Sequence, residues 1–170
     1  MDRRFFSGLI RDWGIALLVT VGVIAIWAFV RGGPVTEGRV ENVELQTLSG
    51  EVVELSTYYR GEDKIILNFW ATWCGPCISE LPLLSAFHDQ HQEVTFLGIS
   101  VDENKSIPAL KSFAKRRKIS YPVLLDHLQE VSRAYGVSNL PTTFILSSDG
   151  QIEHVRIGVV NQAWLEKSLE

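Results

Sequence analysis

Two cysteines, Cys74 and Cys77, are the residues of this sequence best suited to chemistry, and they are separated by Gly75 and Pro76. A C-x-x-C pair can act as a redox dithiol or supply two of the four ligands of a zinc site. The sequence has no second C-x-x-C and no H-x-x-x-H to complete a tetrahedral set. A purely structural disulfide across so short a loop would constrain the unfolded chain very little. We therefore predict a redox-active dithiol.

The residues around the pair predict a strand that leads into a helix. The apolar run Ile65–Trp70 is typical of a buried strand, and Cys77, Leu81 and Leu84 recur at helical spacing. Cys74 would then lie at a helix N terminus, where free N–H groups and the helix dipole favour a thiolate. We expect Cys74 to be the nucleophile. Cys77, one turn further in, is expected to be buried and to resolve the mixed disulfide.

The stretch from Asn68 to Cys77 reads Asn-Phe-Trp-Ala-Thr-Trp-Cys-Gly-Pro-Cys and resembles the active-site stretch of the thioredoxin superfamily. Its continuation to Pro82 resembles the membrane-anchored TlpA/ResA-like thiol–disulfide reductases. The resemblance extends from about Val43 to the C terminus. It implies an α/β thioredoxin fold, in which helices flank a central mixed sheet, with an additional N-terminal β-hairpin. It implies neither a cofactor nor a metal.

The pattern outside the motif predicts the remaining elements of such a fold. In chain order they are a hairpin (43–48 and 52–55), the active-site strand and helix, a strand (94–101), a helix (106–118), a strand (121–125), a helix (128–135), a second hairpin (142–146 and 152–159) and a last helix from Asn161. Helices must then cover both faces of the sheet. The net charge of −4 and the 21% of charged residues do not indicate nucleic-acid binding or disorder.

Glu80 is the third candidate catalytic residue. Thioredoxins carry a buried aspartate six residues before the first cysteine, but this sequence has Asn68 there, and an amide cannot take a proton. Glu80 shares a helix face with Cys77 and is the acidic residue of the TlpA/ResA-type motif. Next to an apolar surface that includes the thiols, the pKa of the Glu80 carboxyl should be raised, so that it can exchange protons with either sulfur. The alternative is that Glu80 only stabilises the first helical turn through the dipole.

Four further residues are assigned to substrate binding. Leu140 and Pro141 precede a predicted strand, where a proline is simply permitted at the first position. In the resembled family the matching proline is cis and packs against the disulfide, which implies that Leu140 can pair with an incoming peptide. Trp73 and Pro76, which flank and separate the cysteines, complete this candidate surface.

The N-terminal part predicts a membrane anchor. Residues 14–30 carry no charge and would form a helix about 26 Å long, near the short end of what spans a bilayer. No A-x-A cleavage pattern follows, so we expect an uncleaved signal anchor. Three arginines before the span favour a cytoplasmic N terminus and an extracytoplasmic, periplasmic-side catalytic domain. The predicted organisation is a stub and anchor at 1–31, a linker at 32–42 and a thioredoxin-like domain at 43–170.

The expected activity is reduction of protein disulfides. Gly75 and Pro76 match the reducing thioredoxins, so the potential should lie nearer to about −270 mV than to the −120 mV or so of an oxidant such as DsbA. The resemblance implies that the substrate is the C-x-x-C-H disulfide of apocytochrome c before haem attachment. It also implies that electrons come from a membrane thiol transporter.

Two other functions stay open at this point. The first is a general extracytoplasmic reductase for other proteins. The second is a tethered copper chaperone that uses the dithiol as a ligand, which the single methionine and the lack of a histidine near the pair disfavour. His88 and His91 have no third ligand in the sequence pattern, so we predict no metal site there and expect both rings to be solvated.

Overall fold

The computed structural model of the protein describes residues 20–23, 43–58, 64–103 and 105–170. The chain divides into two units, Met1–Gly33 and Pro34–Glu170, and only residues 20–23 of the first are described, as helical. The predicted anchor, apart from those four residues, and the predicted linker lie outside the described residues. Within the described ranges no helix is both long and apolar enough to cross a membrane.

The described part of the second unit contains seven strands, four helices and a short 3-10 turn. The strands are β1 (Glu44–Thr47), β2 (Val52–Glu54), β3 (Ile65–Trp70), β4 (Thr95–Ser100), β5 (Val123–Leu125), β6 (Thr142–Leu146) and β7 (Ile152–Ile157). The helices are α1 (Gly75–Gln90), α2 (Ile107–Arg117), α3 (Glu130–Ala134) and α4 (Gln162–Ser168), and the 3-10 turn is Leu55–Tyr58.

The predicted elements are present in type and order, but three boundaries differ from the prediction by two residues. Strand β5 begins at Val123 rather than at residue 121. The short helix α3 begins at Glu130 rather than at residue 128, because Gln129 has a φ of 54° and the left-handed conformation interrupts a right-handed helix. Strand β7 ends at Ile157 rather than at residue 159. Gly158 follows it with a φ of 93°, a conformation that ends the extended chain and suits glycine.

The strands form one mixed sheet, as predicted, in the order β2-β1-β5-β4-β3-β6-β7. Strand β3 lies at its centre, parallel to β4 and antiparallel to β6. The N-terminal hairpin extends one edge, because β1 pairs antiparallel with β5. All six residues of β3 are buried, which explains why this strand is apolar on both faces, apart from Asn68, instead of alternating.

Helices cover both faces of the sheet, and β3 contacts helices on each side. Asn68 is hydrogen-bonded to Glu80 of α1, and Trp70 stacks on Phe113 of α2 with ring centroids 5.7 Å apart. Phe69, which lies between them in sequence, points the other way and contacts Tyr135 at the end of α3, at 5.5 Å. The active-site helix α1 therefore lies on the face of the sheet that receives Asn68 and Trp70.

Candidate active site

Cys74 and Cys77 form a disulfide at the start of α1, with their Cα atoms 5.3 Å apart. Cys74 is the N-cap residue: its backbone is extended, and its Sγ accepts a hydrogen bond of 3.2 Å from the Cys77 N–H. Pro76 occupies the first turn, where the missing N–H of proline costs no helical hydrogen bond. The pair is thus seen in its oxidised form. In the reduced form the same N–H group and the helix dipole favour negative charge on Cys74.

The two sulfurs differ in accessibility. The Cys74 residue is 7% exposed and Cys77 is fully buried at 0%. An incoming disulfide therefore approaches Cys74 first, whereas Cys77 reacts from inside the protein.

The loop that leads from β3 to Cys74 is held by a buried carboxylate. Asp102 accepts hydrogen bonds from the Thr72 N–H (3.0 Å), the Thr72 hydroxyl (2.6 Å) and the Ser100 hydroxyl (2.9 Å). Lys105 donates to the Thr72 hydroxyl at 2.6 Å. These bonds join the residue two positions before Cys74 to Asp102, just after the end of β4.

Glu80 lies one turn beyond Cys77 on α1, and the residue is only 2% exposed. Both of its carboxylate oxygens have partners: Oε1 accepts from Asn68 Nδ2 at 2.9 Å, and Oε2 accepts from the Val160 N–H at 3.1 Å. Asn68 Nδ2 also donates to the Thr143 hydroxyl at 3.0 Å. Glu80 is thus joined to the centre of the sheet and to the segment before α4.

The environment of Glu80 favours its protonated form. Burial raises the pKa of the carboxyl above its ordinary value of 4.5, and the hydrogen bonds from Asn68 and the Val160 N–H oppose that shift only in part. A Glu whose role was only to interact with the helix dipole would be expected at the surface, whereas Glu80 points inward beside Cys77. The arrangement can hold or accept a proton close to the inner sulfur.

The Leu140–Pro141 peptide bond is cis. The Pro141 carbonyl accepts a hydrogen bond of 2.8 Å from the Gly158 N–H, and the Thr142 hydroxyl donates to the Asn139 carbonyl at 2.7 Å. Leu140 lines a cleft of about 170 Å³ together with Trp73. The structure thus brings two of the four predicted substrate-binding residues to one surface.

Trp73 stands between that cleft and a larger one of about 370 Å³, which is lined by Asp102, Glu103 and Lys105 among others. It is the most exposed apolar side chain of the described residues, at 71%. Pro76 is also exposed. An indole so open to solvent contributes little to the fold and is well suited to contact a partner.

Sequence reasoning missed three features of this site. It did not identify Asp102 as the group that holds the loop before Cys74, although an acidic residue directly after a buried strand was a usable signal. It treated Asn68 as a missing base, whereas the structure shows a hydrogen-bond donor to Glu80. The hydrogen bond from the Val160 N–H to Glu80 joins residues that are 80 positions apart, so no local sequence pattern could indicate it.

The expectation that His88 and His91 are solvated was wrong for His88. This ring is half-buried and lies against Phe96 and Tyr121, with centroid distances of 6.2 Å to each. It faces inward because its position on α1 continues the buried stripe of Leu81 and Leu84.

Comparison with known proteins supports the assignment from geometry. Residues 37–155 match the AhpC/TSA family. The thiol-disulfide oxidoreductase ResA of Geobacillus thermodenitrificans is 35% identical over 116 residues, which are 67% of this chain and 65% of that protein, slightly under two thirds of its length. The sporulation thiol-disulfide oxidoreductase A of Bacillus subtilis is 32% identical over 131 residues, or 74% of this chain and 76% of that protein.

The same likeness holds in three dimensions. The crystal structure of StoA from Bacillus subtilis matches with a TM-score of 0.65 and 29% identity, covering 77% of this chain and 98% of that one. The mixed sheet, the redox-capable cysteine pair at the start of α1 and these relatives agree with one another. The chain therefore belongs to the AhpC/TSA family of the thioredoxin superfamily and is a thiol–disulfide oxidoreductase of the ResA type.

Proposed function

We propose that this oxidoreductase works as a reductase outside the cytoplasm, tethered to the membrane, and that its substrate is the haem-binding disulfide of apocytochrome c. The observation that carries the reducing direction is the combination of an N-cap sulfur, Cys74, with a buried carboxyl, Glu80, one helical turn beyond Cys77. A dithiol donor needs one activated thiolate and one thiol that loses its proton when it attacks the mixed disulfide. These three residues meet that requirement.

In the proposed reaction the Cys74 thiolate attacks one sulfur of the substrate disulfide. A bond forms between the two sulfurs, and the other substrate sulfur leaves as a thiolate that takes a proton from solvent. Cys77 then passes its proton to the Glu80 carboxylate, and its thiolate attacks Cys74. The Cys74–Cys77 disulfide closes and the second substrate thiolate leaves. Two electrons have passed to the substrate, and the enzyme must be reduced again before the next turnover.

Glu80 suits this task because its carboxyl group can take up a proton and release it again in each catalytic cycle. Burial raises the pKa of its carboxyl, while the hydrogen bonds from Asn68 and the Val160 N–H stabilise the charged form. A group poised between its two protonation states transfers protons in both directions most efficiently. Glu80 then acts as base while Cys77 attacks and as acid when the disulfide is reduced again.

The substrate is proposed to bind over Trp73, Pro76, Leu140 and Pro141. Trp73 and Leu140 line one cleft, and Pro76 lies exposed between the cysteines. Ile157 and Val159, which are 50% and 43% exposed, flank Gly158, whose N–H is bonded to the Pro141 carbonyl. These exposed apolar side chains, together with a Cys74 residue that is only 7% exposed, favour an extended polypeptide over a small polar molecule.

The cellular assignment rests on the expected anchor and on the chemistry. A reducing dithiol outside the cytoplasm needs a dedicated electron supply, which we propose is a membrane thiol transporter. A tether would hold the enzyme at high effective concentration near both its electron donor and newly exported apocytochrome.

Deleting the gene tests the physiological task. We expect loss of c-type cytochromes with b-type haem proteins intact, and recovery when an external dithiol is supplied. A Cys77→Ser variant should trap apocytochrome as a mixed disulfide, and the Cys74→Ser, Cys77→Ser double variant is the control that should trap nothing. Normal c-type cytochromes in the deletion strain, with no second reductase present, would overturn the assignment.

A second candidate is a reductase for other exported proteins. A 32% identical relative is named for sporulation. The trapping experiment separates the two functions, because the identity of the protein bound to Cys74 is read directly. Capture of exported proteins other than apocytochrome would favour this second function.

The topology has its own test. A C-terminal reporter that is active only outside the cytoplasm should give signal, and mature protein should retain residues 1–31. A mature N terminus beyond residue 30, or a reporter active only in the cytoplasm, would contradict the proposed anchor.

A further inference from the structure

Five buried side-chain polar atoms have no hydrogen-bond partner within the described part of the protein: Asn68 Oδ1, Trp70 Nε1, Ser85 Oγ, His88 Nδ1 and Tyr121 Oη. All five belong to the layer between α1 and the sheet. Asn68 and Trp70 point from β3 toward that face, Ser85 and His88 lie on α1, and the Tyr121 ring contacts Phe96 and His88. Buried polar groups are nearly always paired with protein or with ordered water. Five such atoms in one layer indicate that the layer binds something polar.

Gly98 shows how closely two of these residues approach each other. A Cβ at Gly98 would lie 2.7 Å from Cε2 of Tyr121 and 2.9 Å from Nε1 of Trp70, so an edge of the tyrosine ring and the indole N–H both lie against this glycine. Gly98 is also the register partner of Asn68 on the adjacent strand β4, which places Asn68 on the neighbouring strand at the same level.

The three polar groups are complementary to a water molecule. Asn68 Oδ1 only accepts hydrogen bonds, Trp70 Nε1 only donates, and the Tyr121 hydroxyl does both. A water that donates to Oδ1 and accepts from the indole satisfies both, with the phenol as its third partner, and about three partners is usual for internal water. Asn68 and Trp70 are fully buried and Tyr121 is 4% exposed, so bulk solvent does not satisfy these atoms.

We propose that Asn68, Trp70 and Tyr121 bind an internal water molecule, and that Tyr121 is thereby a positioning residue for Glu80. The water holds Oδ1 of Asn68 on the Tyr121 side, which keeps Nδ2 of the same amide directed at Glu80. If the amide turned over, its oxygen would face the carboxylate and the bond to Glu80 would be lost. Tyr121 therefore sets the proton affinity of Glu80 through Asn68, without touching the sulfurs.

The charges of this layer agree with such a coupling. Its titratable groups are Cys77, Glu80 and His88 on α1 and Tyr121 before β5. From α2, the Arg117 guanidinium lies 5.6 Å from the centroid of the Phe113 ring, which in turn stacks on Trp70. Burial and, second, the charge of Glu80 raise the pKa of the Tyr121 phenol, so the hydroxyl stays protonated and able to donate. The functional part of this inference rests on the role proposed for Glu80, but the water site does not.

The test uses the oxidised protein, in which no thiol titrates and no turnover occurs. A high-resolution crystal structure should show water within hydrogen-bond distance of Asn68 Oδ1 and Tyr121 Oη. In Tyr121→Phe, carboxyl ¹³C NMR should show the pKa of Glu80 raised by about 0.5 to 1 unit, because the hydrogen bond from Asn68 weakens. Tyr135→Phe is the matched control: Tyr135 is equally buried but lies on the opposite face beside Phe69, so its variant should leave the pKa of Glu80 unchanged.

A dry site in the crystal structure, an unshifted Glu80 in Tyr121→Phe, or equal shifts in both variants would overturn the proposal. Both substitutions remove a single oxygen atom, and thermal unfolding of each variant verifies that it folds. These outcomes are independent of turnover. An unchanged rate in Glu80→Gln would contradict the catalytic role of Glu80. It would not affect the water site, which is tested separately by the crystal structure.

Discussion

Asn68 on the central strand and Glu80 on the active-site helix are joined by a hydrogen bond of 2.9 Å, and both residues are buried. The amide stands where a thioredoxin would carry its buried aspartate, and the buried carboxyl of this protein lies on the helix instead of the strand. Burial raises the pKa of the Glu80 carboxyl, and the hydrogen bond from Asn68 on the strand lowers it in part. This division of roles leads to the first prediction.

Glu80 should make the stability of the oxidised protein depend on pH. Its pKa is raised in the folded state above the ordinary 4.5, so the folded protein binds the proton more tightly than the unfolded chain. This contribution is fully present below about pH 4.5 and is lost as the pH rises through the raised folded value. Each unit of difference corresponds to about 1.4 kcal/mol. Chemical denaturation at a series of pH values measures it.

Glu80→Gln should remove this dependence, because the neutral amide does not titrate. Glu44→Gln, a substitution on the exposed residue that begins β1, is the control and should retain the wild-type profile. Parallel profiles for wild type and Glu80→Gln would show that the carboxyl is not perturbed by burial. In the reduced enzyme, Glu80→Gln should also slow disulfide reduction and change the thiol titration curve.

The two sulfurs should react at different rates. In Cys77→Ser, Cys74 is expected to alkylate at least about tenfold faster at neutral pH than Cys77 does in Cys74→Ser. The reason is that Cys74 is the N-cap residue and is partly accessible, whereas Cys77 is fully buried. Stopped-flow alkylation of the reduced single variants measures both rates. Equal rates would reverse the roles assigned to the sulfurs.

Local patterns sufficed for the parts of the site that lie close together in sequence. The apolar run of β3, the turn at Cys74 and the helical spacing from Cys77 to Glu80 span only a few residues. Strand and helix periodicity therefore determine where those side chains point. The placement of Glu80 one helical turn from Cys77 follows from helical periodicity, because the two residues are three positions apart.

The contacts between distant segments could not be predicted in the same way. Glu80 meets the Val160 N–H across 80 residues, and Thr72 meets Asp102 across 30. Such pairs depend on strand order and on register, which periodicity does not specify. His88 is a mixed case: helical spacing accounts for its inward direction, whereas its ring partner Tyr121, which precedes β5, lies far from it in the sequence.

Gly98→Ala should destabilise the protein although the substitution is small. The added Cβ would lie 2.7 Å from a carbon of the Tyr121 ring and 2.9 Å from Trp70 Nε1, and both rings are confined by the layer under α1. We expect a loss of about 1 to 3 kcal/mol in the free energy of unfolding, measured by denaturant titration. Gly75→Ala is the matched control, since a Cβ there meets nothing within 4 Å. Equal effects of the two substitutions would contradict the packing described around Tyr121.

Trp73→Ala should impair reduction of protein disulfides without weakening the fold. The side chain is 71% exposed and separates the two clefts beside the cysteines, so its loss should change the stability by less than about 0.5 kcal/mol. If the indole contacts the polypeptide around the substrate disulfide, kcat/KM for a protein substrate should fall about tenfold, and that for a small disulfide should change little. Val52→Ala is the control, because Val52 is 60% exposed on β2 at the far edge of the sheet. Steady-state kinetics with both substrates decide the matter. A similar loss toward the small disulfide would mean that Trp73 acts on the sulfurs themselves and not on the bound polypeptide.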